Sequence, residues 1–192
     1  MRRLILSSIF VYFFVISFGQ DNKYLYSGGM LMFQPGYSIV KNPHQQIESL
    51  GFGIGGILRF YVKDHLTLGI SGGSQKTRYS STGSKNSYIS LGYGGPFVGY
   101  TILTEKFRYT FSLSVAKGRI KNLHVETQSG YILTESYYYS HKAWVAYPML
   151  SLDYFMTKKI VITSQLIYLS ARYNKNDLYF CPVFQLGVLF NR

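Results

Sequence analysis

Residues 107–116 read Phe-Arg-Tyr-Thr-Phe-Ser-Leu-Ser-Val-Ala, and no other stretch restricts the fold as tightly. Side chains of an extended chain alternate between two faces. Phe107, Tyr109, Phe111, Leu113 and Val115 therefore share one side, and Arg108, Thr110, Ser112, Ser114 and Ala116 the other. One face is oily and the other wet. A soluble sandwich would turn the oily face inward, whereas a sheet closed in a bilayer would turn it outward around a polar, packed interior.

The start of the chain helps to choose between them. Arg2 and Arg3 precede an apolar run over residues 4–18, with Ser17 and Gly19 as small residues before Gln20. That is the charged region, apolar region and cleavage site of a secretory signal peptide. We expect a signal over 1–19, cut after Gly19, and one mature domain over 20–192. No cysteine stands at the cleavage site, which argues against a lipoprotein anchor. No later run reaches the roughly 20 apolar residues of a membrane-spanning helix. An exported chain of this kind is either soluble or a β-barrel in an outer membrane. An aromatic content of 18%, with 19 Tyr, 14 Phe, 19 Gly and only 15% charged residues, favours the barrel.

Seven further segments can be extended strands: residues 26–37, 48–62, 66–80, 88–103, 139–155, 160–173 and 179–191. Gly28, Gly29 and Pro35 suggest bends or bulges in the first, and 94–96, Gly-Gly-Pro, predict a bulge with a change of phase between Tyr93 and Val98. Gly51, Gly53 and Gly55 fall on the inward parity of the second strand, where they would leave room for large neighbours in a narrow barrel. Connections at 63–65, 104–106 and 157–159 are short and charged. Those at 38–46, 81–86, 123–136 and 174–177 are on the whole longer and polar. Short turns at one end and longer loops at the other match a membrane barrel, with short turns in the periplasm and longer loops outside. The expected fold is an all-β, eight-stranded antiparallel up-and-down transmembrane barrel.

In strand number, loop rhythm and the last strand at 180–190, residues 20–192 resemble the small eight-stranded outer-membrane β-barrel proteins of Gram-negative bacteria, the OmpX-like and OmpW-like barrels. Such barrels typically end on an aromatic residue that assists insertion, whereas Phe190 here is followed by Asn191 and Arg192. The resemblance implies residence in the outer membrane and contact with its lipid.

Charge supplies the candidate sites. The formal charge is +12, two units of which leave with Arg2 and Arg3 to give +10, and such an excess points to anionic partners. Export argues against nucleic acid. Lys76, Arg78, Lys117, Arg119, Lys121, Lys142, Arg172 and Lys175, with Lys41 and Lys85, fall at or beyond the expected outer rim, against Glu126, Glu135 and Asp177. Lipopolysaccharide phosphates are the natural counterpart, since Lys and Arg pair with phosphate through charge-assisted hydrogen bonds. A protein partner in a larger outer-membrane complex is a further possibility. Arg59, Arg108 and Asp153 lie near the three short turns with inward parity, so an interior network is expected among them, joined by Gln165 or Gln185.

No catalytic residue, cofactor or metal is assigned. Cys181 allows no intramolecular disulfide and supplies no zinc cluster. The glycine clusters lie within strands, without the helix that a phosphate-binding loop requires. Some outer-membrane barrels are lipid A acyl-modifying enzymes that use His with Ser and an acid. Ser140 with His141, and His124 with Glu126, are the nearest arrangements here. Three readings follow: a non-enzymatic barrel with a filled lumen and a binding rim, a narrow OmpW-like conduit, and a lipid A-modifying enzyme.

Overall fold

The computed structural model describes residues 26–41, 46–62, 65–81, 84–129, 132–173 and 177–191. The expected signal peptide at 1–19 lies outside them, as does Lys175. The described residues form eight strands: β1 (Tyr26–Lys41), β2 (Gln46–Tyr61), β3 (Leu66–Tyr79), β4 (Ser87–Leu103), β5 (Phe107–Ser129), β6 (Ile132–Phe155), β7 (Ile160–Arg172) and β8 (Leu178–Asn191). Each pairs antiparallel with its sequence neighbours, and β1 pairs with β8 to close the sheet.

The strands are steeply inclined. Following the ladders once around the wall from Val40 through Tyr179, Ala171, Val145 and Ala116, across to Gly95 beside it on β4 and on through Ser71 and Ile57, returns to β1 at Gly29. Closing a narrow barrel requires this stagger. The two described short connections are fastened by threonines. Thr104 Oγ1 accepts from the Phe107 amide at 3.1 Å, and Thr157 Oγ1 accepts from the Lys159 and Ile160 amides at 3.2 and 3.0 Å.

The alternation of 107–116 persists in three dimensions. Phe111 and Leu113 are 60% and 52% exposed, while Thr110 and Ser112 are buried inside. All eight strands follow suit, with an apolar band outward and a packed interior. That interior changes character along the axis. It is polar near the short turns, around Arg59, Arg108 and Asp153, and largely apolar toward the other end, where Val40, Ile47, Ile89, Leu91, Ile120 and Leu169 pack.

Three expectations need correction. No register shift accompanies Pro96: Ile70 pairs with it directly, and Tyr93 and Phe97 both point inward. Proline faces the outside of the wall, so the strand loses one ladder donor without being displaced. In β1 the irregularity expected at Gly28 and Gly29 is present, as a shift between Gly29 and Met32, but none occurs at Pro35, where the register runs straight through. Finally, most of the polar stretch 123–136 is strand, because β5 and β6 run on as a hairpin to Ser129 and Ile132. Backbone pairing sustains that hairpin, where among the described residues of the stretch only Val125 is buried and little alternation marks it.

Candidate functional site

Two groups of side chains stand out, one inside the wall and one outside. Inside, near the short turns, Asp153 Oδ2 lies 2.6 Å from Arg59 Nη1 and 2.7 Å from Arg108 Nε, with all three residues at most 2% exposed. Thr163 donates to the other carboxylate oxygen at 2.6 Å. Arg59 also donates to Ser151 at 2.9 Å and Arg108 to Ser27 at 3.2 Å, so the network links β1, β2, β5, β6 and β7. The Arg108 guanidinium lies over the Tyr61 ring, 4.6 Å from its centroid. Gln165 reaches this group only through Thr163, at 3.4 Å.

Gln185 belongs to a different layer. It donates to Gln34 Oε1 at 2.6 Å, Gln34 donates to Gln75 at 3.1 Å, and the Tyr93 hydroxyl donates to Gln34 at 3.3 Å. A Cβ at Gly55 would collide with both Gln185 and Gln34, so that inward glycine makes the space for the layer. Gln34 and Gln75 are fully buried and were not among the sequence candidates. Their signal was faint: the β1 bulge resets the inward parity before Gln34, and Gln75 sits in a polar run.

Outside, a cationic tier stands above the apolar band. Lys76, Arg78, Lys117, Arg119, Lys121, Lys142 and Arg172 are exposed and point outward from β3, β5, β6 and β7. Lys41 is exposed at the end of β1, and Lys85 in the connection after β3. Aromatic rings share the level: Lys76 Nζ is 4.0 Å from the Tyr88 centroid and Lys117 Nζ 5.6 Å from that of Trp144. Such a girdle is usual where hydrocarbon gives way to headgroups. Arg119 pairs directly across the ladder with Lys142, a like-charge juxtaposition that repels. Among the described residues Arg119, Lys121 and Lys142 have no carboxylate partner. Glu135 accepts from the Tyr137 hydroxyl at 2.9 Å, and that hydrogen bond holds the phenol above its ordinary pKa.

Of the two candidate catalytic pairs, one is split by the strand itself. Ser140 and His141 are consecutive on β6, so their side chains diverge to opposite faces. The His124 ring meets the Tyr79 hydroxyl through Nδ1 at 3.2 Å and stacks beside its ring. His65 stacks on Tyr100 at the turn end, with ring centroids 5.1 Å apart.

A closed eight-stranded antiparallel wall with an outward apolar band, aromatic girdles and a packed interior defines an outer-membrane β-barrel fold. No protein-family model matches the chain, and no curated protein matches it. Solved structures do. The chain is similar to Neisserial surface protein A, NspA, at 9% identity with a TM-score of 0.58, the match covering 87% of this chain and 97% of that one. It is also similar to Ail, the attachment invasion locus protein of Yersinia pestis, in complex with the heparin analogue sucrose octasulfate. There the identity is 14% and the TM-score 0.51, over 88% of this chain and 99% of that one. The outer membrane protein OprG from Pseudomonas aeruginosa matches at 10% identity and a TM-score of 0.51, over 89% and 97%. The resemblance read from the sequence thus holds at the level of fold: its structural neighbours are small outer-membrane β-barrels.

Proposed function

We propose that this protein is an integral outer-membrane barrel, non-enzymatic and filled by its own side chains, that acts by binding anionic groups at its outer rim. The mature domain is 20–192, delivered by a signal peptide over 1–19 that is cleaved after Gly19. The observation that carries the binding reading is the outward cationic tier: Lys76, Arg78, Lys117, Arg119, Lys121, Lys142 and Arg172 stand at the upper edge of the apolar band. Lys175 joins them by sequence position. At that height in an outer membrane lie lipopolysaccharide phosphates, which Lys and Arg meet with charge-assisted hydrogen bonds. The sulfate-rich ligand in the Ail structure, a barrel of similar fold, is the same kind of anion.

The filled lumen is supported by the burial of the inward side chains, from Arg59 near the short turns to Val40 at the far end. In this reading Arg59, Arg108 and Asp153, with Gln165 and the Gln185 layer, are structural and hold the strands together. This counts against the conduit. The divergence of Ser140 and His141 counts against the lipid A-modifying enzyme.

The test is co-flotation of the reconstituted barrel's outer face with lipopolysaccharide aggregates, compared with a variant in which Lys76, Arg78, Arg119 and Lys142 are all glutamine. Binding at low salt that weakens about tenfold in the variant is expected. Equal binding by both proteins would sink the rim reading.

A further inference from the structure

On the outside of the wall, three successive rungs repeat one pattern. Gly56, Gly72, Gly94 and Lys117 stand side by side on β2, β3, β4 and β5, then Ile54, Ser74, Gly92 and Arg119, then Phe52, Lys76, Ser90 and Lys121. The small-residue floor is three strands wide in the first rung and two in the second, and narrows to Ser90 beside Lys76 in the third. A cationic wall on β5 runs along all three. Toward the short turns the floor opens into an apolar trough of about 1230 Å³, flanked by Leu31, Ile54, Leu58 and Ile70. Toward the rim it continues as a groove of about 490 Å³ against Lys117, Arg119 and Lys121. Ser74 lines both, so the two depressions adjoin.

Part of the floor is open without any structural need. A Cβ at Gly92 meets nothing within 4 Å, and at Gly94 the nearest atom is 3.9 Å away. Inward glycines differ, since side chains there would strike neighbours. Glycine inside a strand weakens it, and here nothing packed against the position demands that loss. A clear floor beside cations that have no carboxylate partner among the described residues suits an occupant that arrives from outside.

We propose that this face seats one phosphorylated, acylated lipid of the outer leaflet, its acyl chain lying in the glycine-floored trough and its phosphate between Arg119, Lys121 and Lys142. The phosphate offsets the repulsion between Arg119 and Lys142, and its Coulomb attraction is strengthened at the edge of the low-dielectric bilayer. The apolar trough selects for an acyl chain, which a soluble polyanion lacks. This inference rests on the anionic rim reading but adds a single, stoichiometric seat on the β2–β5 side.

Native mass spectrometry of the folded, detergent-solubilised full chain tests it, using purified bis-phosphorylated hexa-acylated lipid A as the probe. Wild type should retain one lipid per barrel, with occupancy at least tenfold lower for dephosphorylated lipid A. Gly92→Leu with Gly94→Leu should cut retention tenfold or more while co-flotation with lipopolysaccharide persists, because the rim cations remain. Should that variant fail to fold, Arg119→Gln with Lys121→Gln should show the same loss. Lys158→Gln, in the short turn at the opposite end of the barrel, should retain the lipid. Undiminished retention in either groove variant that folds, or a dimer mass in place of a lipid adduct, would overturn the seat. Loss of co-flotation with the rim variant but not with the groove variant separates the rim reading from the seat.

Discussion

Asp153 stands between two guanidiniums in a space that water does not reach, and its second oxygen is satisfied by Thr163. Removing the carboxylate leaves Arg59 and Arg108 buried without a counter-charge, which costs about 3–5 kcal/mol. Asp153→Asn should therefore lower the urea midpoint of the folded barrel by a matching amount, and a change below about 1 kcal/mol would show the network to be slack. The outward Gly92 behaves differently. With open space above it, Gly92→Ala should be neutral or stabilise by about 0.5–1 kcal/mol in the same assay. Gly55→Leu, driven into Gln185 and Gln34, should abolish folding, read as loss of the compact band on an unboiled gel.

Among the elements, β5 carries both the clearest signal and its limit. From Phe107 to Ala116 its alternation is legible because one side meets hydrocarbon and the other a packed interior. Ile120 still packs inside, but beyond residue 123 only Val125 is buried, so composition hardly follows the pleat and the strand reads as loop. A charge within the legible part should be costly: Leu113→Arg, outward in the apolar band, should destabilise by about 2–4 kcal/mol in lipid vesicles. Trimming residues 126–136 and rejoining the hairpin should leave the folding free energy within about 0.5 kcal/mol, because the described residues of that segment add nothing to the buried interior below it. A large loss of stability would mean that the hairpin braces the barrel. The missing displacement at Pro96 has a similar explanation. Sequence marks a proline as a break, but a lipid-facing rung can lose one donor while its flanks keep the register.

For the whole molecule, pairing of β1 with β8 leaves no free edge, which a lipid environment requires because unsatisfied backbone groups are costly there. The folded protein should migrate faster unboiled than boiled and should be recovered with the outer membrane. With an interior buried from Arg59 to Val40, planar-bilayer recordings should show no conductance steps above baseline. Reproducible steps would revive the conduit reading.

By itself the sequence determined the number of strands, the outward side of most of them though not of β1 or the upper part of β4, the end that bears the short turns and the surplus of cations at the other end. Those properties are local, fixed by the two-residue period and by turn chemistry. It also brought Arg59, Arg108 and Asp153 to one level, since each lies a few residues from a turn. The tertiary structure alone decided which inward residues touch. Gln34 meets Gln185 across 151 positions of chain because the sheet closes on itself at one inclination. It likewise decided that Gly92 and Gly94 adjoin the β5 cations. Register around a closed wall is set by every strand together, so no single segment encodes it.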